Sequence, residues 1–161
     1  MRRIFLCMIA LVSFSSGAYA APKAEIFGGY QFTHLEGGLN MNGWNGALTG
    51  NIGKFFGITA DLSGVYGSGD HLYTFTFGPE VHAHLPVIKP FAHILLGGYR
   101  QVIPIASKSI NGFAMYAGGG IDAGHGPLAW RVVQLDWMNL RQYGGNYGKN
   151  VRFSTGLVIR F

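Results

Sequence analysis

His82 and His84 are spaced by one residue, so they share one face of any extended segment, and that spacing suits metal ligation. No third ligand accompanies them, and no metal site is assigned. The tract Gly118-Gly119-Gly120-Ile121-Asp122-Ala123 can be set against G-x-G-x-x-A, a pattern that cradles a dinucleotide phosphate. That pattern needs a helix to follow at once, whereas residues 124–127 read as a turn with another extended run behind it, so no cofactor is expected. His71, Ser68 and Asp70 lie in one polar stretch, and His125 and Ser154 are a second imidazole and hydroxyl. No pattern orients either pair for nucleophilic catalysis, and no catalytic residue is assigned. The remaining candidates are charges: Glu25, Asp61, Glu80 and Asp136 against Arg131, Arg152 and Arg160.

The elements that position these charges are strands. From residue 151 to 161, Val151, Phe153, Thr155, Leu157, Ile159 and Phe161 alternate with Arg152, Ser154, Gly156, Val158 and Arg160. A period of two over this length is a strand rather than a helix. Residues 72–81 set Tyr73, Phe75, Phe77 and Val81 against Thr74, Thr76, Gly78 and Glu80. Residues 56–66 set Phe56, Ile58, Ala60, Leu62 and Tyr66 against Gly57, Thr59, Asp61 and Ser63. Residues 43–52 set Trp44, Leu48 and Ile52 against Asn45, Ala47, Thr49 and Asn51. Residues 25–33 set Ile26, Tyr30 and Phe32 against Glu25, Gln31 and Thr33, with Phe27 on the polar face. Residues 113–122 and 128–138 alternate less cleanly, and residues 88–99 are apolar on both faces, which leaves their parity unassigned.

Composition agrees with a sheet that has lipid on one side. Arg2 and Arg3 precede an apolar run over residues 4–14, and Ala18-Tyr19-Ala20 supplies a small-x-small cleavage pattern. Residues 1–20 therefore read as a secretory signal peptide and residues 21–161 as one barrel domain. Cys7 falls in the signal, so the mature chain has no disulfide or thiol chemistry. It keeps 25 glycines in 141 residues, against an average near 7%. Glycine costs a helix about 1 kcal/mol per residue, which counts against a helical fold. Ten basic and seven acidic residues leave a scattered net charge of +3, so no nucleic-acid partner is expected. No apolar run after the signal reaches the length of a membrane helix, yet the mean hydropathy of the full chain, signal included, is +0.22. Alternating strands reconcile the two, with one face toward lipid and one toward a lumen.

The expectation is an all-β fold, an eight-stranded antiparallel up-and-down transmembrane β-barrel. Membrane strands of about 9–11 residues fit eight times into the mature chain with modest connections. An even count places both termini on one side, the periplasm. Residues 53–54, 83–87 and 124–127 read as periplasmic turns, and residues 34–42, 67–71, 100–111 and 139–149 as outer loops. Trp44, Tyr66, Tyr73, Tyr99, Trp137 and Tyr143 lie near strand ends, where an aromatic girdle meets the membrane–water interface. A barrel of eight strands is just wide enough to be filled by side chains. The inward charges Glu25, Asp61, Glu80, Arg131, Asp136 and Arg152 are therefore expected to pair as a plug, since a lone buried charge is very costly. The sharper alternative for the same residues is the lining of a gated pore.

The final segment, Ser154-Thr155-Gly156-Leu157-Val158-Ile159-Arg160-Phe161, resembles the C-terminal signal of outer-membrane barrels. The resemblance implies that Gly156, Ile159 and Phe161 are read by the barrel-insertion machinery. Lys89-Pro90-Phe91-Ala92-His93 with Gly97-Gly98 resembles the outer-membrane β-barrel domain family of OmpA/OmpX-like proteins. So do the segments 118–122, 131–137 and 150–154. The likeness spans most of residues 24–161 and implies an integral outer-membrane protein in contact with outer-membrane lipid. The chain departs from OmpA in having no peptidoglycan-binding domain, so a wall-tethering role is not carried over.

Three readings follow. The first is a monomeric, non-enzymatic outer-membrane barrel with a structural, surface-interaction or porin-like small-solute role. The second is an outer-membrane lipid hydrolase of the lipid A deacylase type, which needs a His–Ser pair facing lipid; Ser154 instead falls on the lumen face and His125 in a turn. The third is a soluble lipocalin-like barrel, which would put its charges outside and its apolar face within. The last strand has both arginines on the face opposite its apolar one, which favours lipid outside.

Overall fold

A computed structural model describes residues 23–67, 69–104, 107–142 and 145–161. The signal-peptide reading of residues 1–20 lies outside the described residues. Eight strands run β1 (Ala24–Leu35), β2 (Leu39–Asn51), β3 (Phe56–Gly67), β4 (Asp70–His82), β5 (Ile88–Ile103), β6 (Lys108–Ala123), β7 (Leu128–Gln142) and β8 (Gly145–Arg160). Each pairs antiparallel with the next, and β1 pairs with β8, so the sheet closes and leaves no edge strand. No helix among the described residues is long and apolar enough to cross a membrane, and this has no bearing on crossing by strands.

Side chains divide by pleat parity. Ile26, Leu48, Ile58, Leu62, Phe75, Phe77, Ile94, Leu96, Leu135 and Leu157 are exposed on the outer wall. Glu25, Gln31, Asp61, Glu80, Gln134, Asp136 and Arg152 are buried within. This polarity is inverted relative to a water-soluble barrel, so lipid is the solvent that suits the wall. The all-β barrel expected from alternation is the fold observed.

Two ambiguous strands resolve here. In β5, Lys89, Phe91, His93, Leu95 and Tyr99 point inward and Ile94 and Leu96 outward. The strand reads as apolar on both faces because its lumen side carries three large apolar groups. Tyr99 is thereby removed from the interface girdle. In β7, the pairing with β6 and β8 shifts around residues 132–133, a β-bulge. Ala129 and Arg131 are buried before it, and Gln134, Asp136 and Met138 after it. A bulge adds one residue to a strand and so flips the parity, which explains the uneven alternation.

The far connections are shorter than their composition suggests. The stretches read as outer loops are mostly strand: β1 runs to Leu35 and β2 begins at Leu39, β3 runs to Gly67 and β4 begins at Asp70, β5 runs to Ile103 and β6 begins at Lys108, and β7 runs to Gln142 and β8 begins at Gly145. The first reversal uses Gly37 and Gly38 at positive φ, and the ladder already runs from Leu35↔Leu39. Beyond the apolar wall both faces of a hairpin can be polar, so polarity there does not separate strand from loop. The near-end turns fall at residues 52–55, 83–87 and 124–127.

Candidate functional site: the filled lumen

The lumen has a polar half and an apolar half. The polar half lies toward the end where β1 starts and β8 finishes. There Arg152 grips Asp61 with two hydrogen bonds, Nη1 to Oδ1 at 2.7 Å and Nη2 to Oδ2 at 3.1 Å. Its Nε donates to Asp136 Oδ2 at 2.7 Å. Asp136 also accepts from Gln134 Nε2 at 2.8 Å and from His93 Nε2 at 2.7 Å. Gln134 in turn accepts from Arg131 Nη1 at 2.7 Å, and Arg131 holds Asp122 through Nε at 2.8 Å and Nη2 at 3.2 Å. The result is one chain of charge-assisted bonds crossing the lumen from β6 and β7 to β3. Planar guanidinium groups suit these two-pronged contacts.

A second cluster sits nearer the mouth. Lys89 Nζ donates to Glu25 at 2.7 Å and to Glu80 at 3.3 Å. Glu80 accepts from Thr59 at 2.9 Å, and Glu25 from Asn51 at 3.1 Å. His82 Nδ1 stands 3.2 Å from Glu80 Oε1, and His84 Nε2 is 3.7 Å from Glu25 Oε1. His82 is buried, not exposed as a histidine beside a turn would be. Its strand ends inside the barrel mouth, where Glu80 on the same face receives it. No group of three or more potential ligands is placed to hold a metal among the described residues.

Phe27, the residue on the wrong face of β1, has a partner there. The Arg131 guanidinium lies between the Phe27 and Phe91 rings, 4.3 Å and 4.2 Å from their centroids. This sandwich fixes the guanidinium plane that Asp122 and Gln134 require.

The far half of the lumen is filled by Met41, Val65, Leu72, Leu95, Tyr99, Ala114, Tyr116, Met138 and Leu140, with Leu35 and Leu39 packed against them. Tyr116 marks the border, its ring 4.5 Å beneath the Arg152 guanidinium carbon. The sheet makes room for the polar chain at Gly118, which lies between His93 of β5 and Asp136 of β7 in the ladder. A Cβ there would stand 2.3 Å from Asp136 Oδ1 and 2.2 Å from the Leu135 carbonyl oxygen. The glycine tract set against a nucleotide fingerprint is thus part of a strand whose missing side chain lets His93 reach Asp136.

Of the sequence candidates, Asp61, Arg131, Asp136 and Arg152 meet in the first cluster, and Glu25 and Glu80 in the second. Sequence reasoning missed Lys89, His93, Asp122 and Gln134, and weighed His82 as a metal ligand where the structure sets it beside Glu80. The signal for Lys89 and His93 was present in β5, where their even spacing, read as inward, would have set the strand's parity. The hydrolase candidates do not assemble: Asp70 accepts from Gln101 at 3.2 Å, His125 lies 3.1 Å from the Pro86 carbonyl oxygen, and Ser154 is buried. Ser68 and Tyr143 lie outside the described residues.

Trp44, Tyr66, Tyr73 and Trp137 are exposed on the outer wall, all toward the far end. Trp44 Nε1 donates to the Tyr66 hydroxyl at 3.4 Å, and the Tyr66 and Tyr73 rings meet edge-on at 6.0 Å. Trp130, Phe55, Phe56 and Phe161 are exposed at the other end. At the tail, Phe161 N–H donates to the Ala24 carbonyl at 2.9 Å and its own carbonyl accepts from Lys23 at 2.7 Å. Gly156 pairs with Gly29 across the β1–β8 seam.

This architecture is that of the small eight-stranded outer-membrane barrels, and solved structures of that class superpose on it. Neisserial surface protein A aligns with a TM-score of 0.65 at 10% identity, over 86% of this chain and 96% of its own. The N-terminal β-barrel domain of Pseudomonas aeruginosa OprF aligns at 0.61 and 9% identity, over 88% and 100%. Ail, the attachment invasion locus protein of Yersinia pestis, aligns at 0.57 and 12% identity, over 88% and 100%. No family model and no curated protein matches the sequence. At these identities the likeness defines the fold.

Proposed function

We propose that this chain is an integral outer-membrane barrel without catalytic activity, whose role is structural or a matter of surface interaction. The observation that carries this reading is the lumen itself. Arg152, Asp61 and Asp136 are nearly fully buried and mutually bonded, and the far half is packed with apolar side chains. A passage for solutes needs an open polar bore, whereas this barrel is plugged by its own side chains. The neighbours in fold are outer-membrane proteins, and one carries attachment in its name. In this reading residues 1–20 direct export, both termini face the periplasm, and Gly156, Ile159 and Phe161 address the insertion machinery. Trp44, Tyr66, Tyr73 and Trp137 anchor the barrel at the outer interface.

Planar-bilayer recording tests it. The refolded protein is expected to give no reproducible conductance. Stable unitary channels that disappear on Arg152→Ala would replace the plug with a gated pore. Monodisperse behaviour without detergent would remove the membrane assignment altogether.

A further inference from the structure

The outer wall carries few charges, and their placement is not random. Among the described strand residues that point outward, none is Asp or Glu. The outward cations are Arg100 on β5, Arg141 on β7 and Lys149 on β8, all exposed and all at the far end. Each adjoins an aromatic of the belt. Arg100 stands opposite Tyr73, Arg141 opposite Phe113, and Lys149 is two residues before Val151, the ladder partner of Trp137. In the lumen, Lys89, Arg131 and Arg152 each pair with carboxylates at 3.3 Å or less. Arg100 and Arg141 form no ion pair among the described residues, and neither does the Lys149 side chain. These cations therefore neutralise nothing within the barrel.

A bilayer explains the arrangement. Side chains just beyond an aromatic belt lie at headgroup depth. Strands in a sheet stand about 4.8 Å apart, and Arg100 and Arg141 flank the single strand β6. Their side chains are long enough to converge on one phosphorylated headgroup. Guanidinium binds phosphate through paired hydrogen bonds.

We propose that the far rim of β5–β8 is a binding site for the phosphate groups of a lipid headgroup, of the kind offered by a phosphorylated, multiply acylated glycolipid. Arg100 lies three residues short of the end of β5 and Lys149 four residues into β8, while Arg141 stands one residue from the end of β7. The placement of Arg100 and Lys149 on the wall, at headgroup depth, selects a membrane lipid over a soluble polyanion. The site rests on the membrane-barrel reading and adds a ligand class to it.

The test uses the full-length mature barrel in phosphatidylcholine nanodiscs doped with bisphosphorylated lipid A, or with the same lipid stripped of phosphate. Lipid retention is read by native mass spectrometry. The bisphosphorylated probe should be retained about tenfold more than the stripped one, with retention falling as salt rises. The double change Arg100→Gln with Arg141→Gln should reduce retention by about tenfold, while Lys54→Gln in the near-end turn leaves it unchanged. Equal retention of the two probes, or a flat salt response in the unsubstituted protein, would overturn the site without recourse to any variant. Competition by sucrose octasulfate with no lipid preference would assign the patch to soluble polyanions and equally overturn it. Folding is followed separately by heat-modifiable gel mobility. A folded barrel with indifferent lipid retention sinks this proposal alone, whereas failure of the unsubstituted chain to fold into membranes sinks the barrel reading and the site together.

Discussion

The two halves of the lumen occupy equal places in the sheet and are filled by opposite means. Toward the near end, the lumen is packed with charges that neutralise one another: Asp122, Arg131, Asp136, Arg152 and Asp61 in one chain, Glu25, Lys89 and Glu80 in another. Toward the far end, Met41, Leu72, Leu95 and Met138 pack as in a soluble protein's core. The difference lies in what each fill tolerates. A charge network is held by geometry and fails when one member leaves, because the partner remains charged, buried and unpaired. An apolar fill is held by contact area and degrades by volume.

That contrast sets the order of expected effects. Arg152→Met strands Asp61 and Asp136 together and should cost about 3–5 kcal/mol, read from urea-dependent unfolding in lipid vesicles. Replacing Arg152, Asp61 and Asp136 at once by apolar residues of similar volume should recover most of that loss. A triple variant as unstable as the single one would show that the network is not a unit. Leu95→Ala, at the core of the apolar half, should cost about 2–5 kcal/mol by leaving a cavity. That loss should be the same in low and high salt, and a salt-dependent loss would tie the apolar half to the charges below it. Gly118→Ala should cost about 1–3 kcal/mol, because the Leu135 carbonyl as well as Asp136 must move. Gly28→Ala, where a Cβ meets nothing within 4 Å, is the matched control and should change stability by less than about 0.5 kcal/mol. Equal effects of the two alanines would mean that the glycine tract does not make room for the network.

Legibility followed the solvent. Where one face of a strand meets lipid and the other a polar lumen, alternation is clean, and β3, β4 and β8 stood out residue by residue. Where the lumen turns apolar, both faces look alike, and β5 lost its parity although Lys89 and His93 carried it. The bulge in β7 blurred another strand for a geometric reason, since one added residue inverts every later position. Hairpins beyond the wall were read as loops because water wets both their faces. The charged residues were recognisable as a set, but not their pairing. Arg131 falls to Asp122 and Arg152 to Asp61 and Asp136 because of strand register and because Gly118 leaves a gap, neither of which alternation reports.

The sequence by itself determined which side of the sheet faces lipid, because a period of two is a local property that each strand carries alone. It thereby determined the barrel and the presence of charges within it. Only the tertiary structure decided that the charges form two separate clusters, that an apolar fill lies beyond them, and that Arg100, Arg141 and Lys149 share one rim. Those facts depend on register and closure, which bring β1 to β8 and β3 to β7 across a lumen that no local pattern can measure.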